Sequence, residues 1–287
     1  MHHGNRRVSG QKGCSPNTHD RRRRKIARAC LMWYTCALFL WVCCWLTISS
    51  PNAWSEAAHH ASWTSAEKVA WAHLRSSGRA ELGPSDELSG TFLREIITDP
   101  DLTKDLKTGV TVHGGKIVGP LNLKSVKVSL PLVDLETRFS TAVDISDATF
   151  DGTLSFRGAD LNRGIIATRS RIEGSLVFGK YDDTEYLGDR IAGGNNISSI
   201  SASHIRVNGD VILSGVSISQ DIDFSLSNIK GTLTTMYVDA QSANISAAEV
   251  GNQLIVFAST FRRKTAIPGQ SVTLNFYDTY IKHGWQV

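Results

Sequence analysis

The sequence predicts an all-β solenoid, a parallel β-helix of about 11-residue half-coils, with a short N-terminal helical cap and an N-terminal hydrophobic leader helix. Two observations carry the prediction. Apolar residues recur at a fixed step of eleven from residue 117 onward, and the positive charge excess and all the cysteines are gathered in the first 57 residues. The 287 residues are enough to bury a sizeable core, in one large domain or two small ones.

The leader, 1–57, holds nine Lys/Arg and two acids, Asp20 and Glu56, so it is +7 while the remainder is −3. All five cysteines (Cys14, Cys30, Cys36, Cys43 and Cys44) lie in it. The body therefore has no disulfide, no thiolate metal site and no cysteine nucleophile. It also lacks the basic excess of a nucleic-acid binder. Within the leader, Arg21-Arg22-Arg23-Arg24-Lys25 and Arg28 run into 20 uncharged residues, Ala29 to Ile48. Basic residues resist translocation, so this end is expected to stay in the cytoplasm while the remainder crosses. The stretch has the length of a membrane-spanning helix, about 20 residues. A few residues later, Ser55-Glu56-Ala57 suits a signal-peptide cut after Ala57. Both a removed signal and a retained anchor at 29–48 place the body outside the cytoplasmic membrane.

Residues 58–110 read as a helical cap. Thr64-Ser65-Ala66-Glu67 is a capping-box pattern, Val69, Ala70, Trp71 and Leu74 come next at helical spacing, and Gly78 is a stop. A second amphipathic pattern after Pro84 takes in Leu88, Phe92, Leu93, Ile96 and Ile97 and ends near Asp99-Pro100. Trp63, Trp71 and His73 sit on such a stripe and are read as core rather than as a ligand site.

Residues 111–287 read as the solenoid, with a loop insertion at 179–206 and a C-terminal cap. Ile117, Val128, Phe139, Phe150, Leu161 and Ile172 fall at successive steps of eleven, and the register resumes at Val207, Ile218 and Ile229. Phe150-Asp151-Gly152-Thr153-Leu154-Ser155-Phe156 and Ile172-Glu173-Gly174-Ser175-Leu176-Val177-Phe178 show the repeated phrase. Apolar residues two apart share one strand face, and the glycine permits a tight corner. Between Phe150 and Ile172, and again between Val207 and Ile229, the glycine marks only alternate units, which predicts a 22-residue coil of two similar halves. Such a unit buries its apolar face only by stacking on its neighbours. Leu154, Phe156, Leu176 and Phe178 are predicted to point inward, and Thr153, Ser155, Ser175 and Val177 outward.

Ala159-Asp160-Leu161-Asn162-Arg163 resembles the A-(D/N)-L-x-x unit of pentapeptide-repeat proteins. The phrase I-x-G-x-L-x-L is similar to the loosely repetitive bacterial β-solenoids related to bactofilins. The resemblance spans roughly residues 115–261 and implies architecture, with no site residue attached to it.

Chemistry-bearing residues are sparse. The insertion carries Asp182, Asp183, Glu185 and Asp189 with Tyr181 and Tyr186, without the spacing of a calcium loop. Asp144 and Asp147 stand where carboxylates serve turns. His113, His204 and His283 are scattered and read as structural. Asn196-Ile197-Ser198 and Asn244-Ile245-Ser246 are acceptor sequons where the host glycosylates exported proteins. No catalytic, cofactor-binding or metal-ligating residue is assigned. The expected function is that of an exported or membrane-anchored, non-catalytic structural or interaction module of the cell envelope. Its expected partner is an envelope protein or glycan, with self-association open and no nucleic acid. The alternative is a polysaccharide-active β-helix enzyme using carboxylates near the 179–196 loop, since sugar hydrolysis commonly uses two carboxylates.

Overall fold

The computed structural model describes residues 62–179, 195–262 and 274–286. The leader and the carboxylates Asp182, Asp183, Glu185 and Asp189 lie outside the described residues. The described residues from Trp63 onward belong to one compact unit, which carries the repeat. No helix among the described residues is long and apolar enough to cross a membrane.

This unit opens with helix α1, Ser65–Ser77. The capping box is formed: Thr64 Oγ1 accepts from the Glu67 amide, and Glu67 accepts from the Thr64 amide at 2.7 Å. Ala70, Trp71 and Leu74 are buried and Gly78 closes the helix with φ 74°, while Val69 faces solvent. Helix α2, Gly90–Thr98, buries Phe92, Leu93, Ile96 and Ile97, and the short α3, Pro100–Thr103, comes after it. Gly90 is needed for close approach, since a Cβ there would lie 2.3 Å from the Pro120 carbonyl oxygen.

One expectation is corrected between the helices. Leu88 belongs to a strand, Arg79–Ser89, and the helix starts only at Gly90, with Ser89 as its N-cap. The strand pairs in parallel with Val110–Val118, with an irregularity between Leu82 and Glu87. Pro84 falls in that irregularity, the position at which a sheet tolerates a missing amide donor. Pairing with a neighbouring coil outweighs the local helical pattern, so the solenoid begins inside the segment read as its cap.

From there the chain winds through four parallel sheets of nine, seven, seven and four strands among the described residues. One turn runs from Thr153–Phe156 on the nine-stranded wide wall, past Leu161 opposite Ile197, to Ile165–Ile166, then Arg171–Ile172, and back to the wide wall at Leu176–Gly179. Equivalent residues stack: Leu154 on Leu176 on Val211 on Leu233 on Leu254, and Phe150 on Ile172 on Val207 on Ile229 on Val250. Leu154 and Leu176 are 22 residues apart, as are Val211 and Leu233, so the 22-residue coil is present. A step of eleven is half a turn, which carries the chain from one wall to the opposite one. All these residues are at most 1% exposed and belong to one continuous apolar cluster with the helices. Phe156 and Phe178 stack at 5.6 Å between ring centroids.

The loop insertion expected over 179–206 does not extend across 195–206. Asn196–Ile197, Ile200–Ser201 and Arg206–Val207 are wall strands in register with their neighbours. Asn195 is buried and donates to the Phe156 carbonyl at 2.9 Å. Ser155 and Val177 alternate with core residues and so face outward, as expected, yet both are buried at 2% and 7%.

The corners explain two sequence columns. Gly152, Gly174, Gly209 and Gly231 stack, with Gly174 donating to Gly152, Gly209 to Gly174 and Gly231 to Gly209 at 2.9–3.1 Å. A Cβ on any of them would come within 2.1–2.5 Å of the coil below. Close backbone approach, not left-handed geometry, selects glycine there. At another corner Ser125, Asp147, Arg169, His204, Leu226, Ala247 and Asp278 stack with φ of 53–58°. Asp144, Asp223, Asn244 and Asn275 precede this corner and accept from the backbone amide two residues on.

Candidate interaction site on the wide wall

The first strands of the wide wall place charged residues side by side on its outer face. Strand Arg79–Ser89 pairs Arg79 with Thr111 and Glu81 with His113. Strand Val110–Val118 pairs Thr111 with Asp134 and His113 with Glu136. Asp134 in turn lies beside Ser155. Because Val133 and Leu135 point into the core, Asp134 and Glu136 point out on the same side. Two residues along a strand separates them by about 6.6 Å of backbone rise.

His113 joins the members of this cluster. Its Nδ1 lies 2.6 Å from Glu136 Oε2, and its Nε2 lies 3.9 Å from Glu81 Oε2. Glu81 is also paired with Arg79, and that contact raises the Arg79 pKa. Sequence reasoning reads His113 as a scattered structural histidine. Its partners Glu81 and Glu136 stand on neighbouring coils, and only the coil register brings them together.

Asp134 departs most from ordinary behaviour. It is 9% exposed although it is on the outer face, and its Oδ1 is buried without a hydrogen-bond partner. Burial pushes its pKa up, the Ser155 hydroxyl opposes this, the Glu136 charge adds to it, and Arg157 and Arg79 pull it back. Burial wins, and the acid holds its proton to higher pH than a free aspartate. Arg157, two residues beyond Ser155, is exposed and makes no ion pair among the described residues. The face thus combines a shielded carboxyl group, a carboxylate held by an imidazole and an uncommitted guanidinium. Such a set both donates and accepts hydrogen bonds and carries little net charge.

The other candidates are structural. Asp147 receives both Arg169 Nε and Nη2, at 2.6 and 2.8 Å, and this pair lowers the aspartate's pKa. Asp144 accepts from the Ser146 amide. His204 holds a left-handed corner, and His283 is exposed near the last strand. Trp63 and Trp71 pack edge to face at 5.8 Å in the core, while His73 faces solvent. Asn196 is exposed, whereas Asn244 is tied to Asp223, Ser246 and Asn275. Among the described residues no group of three or more His, Cys, Asp or Glu is arranged to hold a metal ion. Compared with known family models, with characterised proteins and with solved structures, the chain shows no significant match.

Proposed function

We propose that the chain is an exported or membrane-anchored β-solenoid that serves as a non-catalytic structural and interaction module of the cell envelope. The observation that carries this reading is the joint one of leader and body. A +7 segment with 20 uncharged residues precedes a cysteine-free, net-acidic array of stacked coils. Basic flanks stay on the cytoplasmic side and send the downstream chain across. Stacked coils in turn present side chains in fixed columns about 4.8 Å apart, the kind of extended surface that stacked-repeat proteins use for binding.

The test is a fusion after Val287 to a reporter active only in the cytoplasm. Silence of the reporter is the expected outcome, and strong activity would contradict export. N-terminal sequencing of the mature protein then separates a cut after Ala57 from a retained anchor at 29–48.

A further inference from the structure

We draw no further inference here: the strongest candidate, the exposed edge-to-face pair of Tyr237 and Phe257 at the ends of the wide-wall strands Leu233–Met236 and Leu254–Phe257, carries nothing because nothing in the structure shows what covers it.

Discussion

Glu67 shows how a single side chain ties two elements together. It is 3% exposed and accepts from the Thr64 amide, the Ser89 amide and the Ser89 hydroxyl, at 2.7, 3.0 and 2.6 Å. Ser89 is itself the N-cap of α2, so one carboxylate links the starts of both helices. Burial alone would raise its pKa, but the hydrogen bonds from Ser89 and Thr64 outweigh that and bring it below the ordinary 4.5. A depressed folded-state pKa adds stability that is complete above the unfolded value and lost as pH falls through the folded one. The melting temperature should therefore hold above about pH 5 and decline below pH 4.5 for this reason. Glu67→Gln should cost about 2 kcal/mol at pH 7, because hydrogen bonds to a charged acceptor are replaced by weaker ones. It should also flatten the decline between about pH 5 and the acid limit. Melts of the parent and Glu67→Gln across that range check both statements, and an unchanged acid profile in the variant would remove Glu67 from the explanation. The capping box was readable in Thr64-Ser65-Ala66-Glu67, since its spacing is local. The bond to Ser89 was not, because 22 residues and a strand separate the two.

At the scale of the element, the corner glycines and the first wall strand show what local pattern conveys and what it omits. The alternation of glycine was visible in the chain and gave the 22-residue coil. Its cause was not, since nothing in Ile172-Glu173-Gly174 shows that another backbone lies against the Cα. A Cβ at Gly209 would meet Ser175 Oγ at 2.5 Å and the Gly174 carbonyl oxygen at 2.8 Å. The hydroxyl can turn away, but the carbonyl belongs to the ladder and cannot. Gly209→Ala should therefore destabilise by about 1–3 kcal/mol, the usual cost of overpacking. Urea denaturation would measure it, and a neutral or stabilising result would mean that the coils are not in contact there. Strand Arg79–Ser89 was missed for the complementary reason. It precedes the repeat, carries Pro84, and is held as a strand by Val110–Val118 rather than by its own pattern. The cluster of Glu81, His113, Asp134 and Glu136 was missed with it, since each member is unremarkable in its own stretch of chain.

The whole molecule derives its form from the step of eleven. Half a turn of a four-walled coil contains eleven residues, so one periodicity places apolar side chains on opposite walls in turn, and successive coils bury them jointly. This was readable because stacking demands the same residue type at the same place in each coil, as with Phe150, Ile172, Val207, Ile229 and Val250. The number of walls was not, because a two-residue strand such as Arg206–Val207 has no period of its own.

That same strand supplies the most direct test. Val207 is 0% exposed in the apolar axis, and its neighbour Arg206 is exposed on the outer face beside Arg171 and Asn228. Strand side chains alternate, so the four-walled register assigns these adjacent residues opposite fates. Val207→Asp buries an unpaired carboxylate, which costs several kcal/mol or forces unfolding. Arg206→Asp should shift stability by about half a kcal/mol or less. Thermal melts monitored by circular dichroism are expected to show a large loss for Val207→Asp and almost none for Arg206→Asp. Equal tolerance of the two changes, or greater damage from Arg206→Asp, would contradict the register and the solenoid built on it.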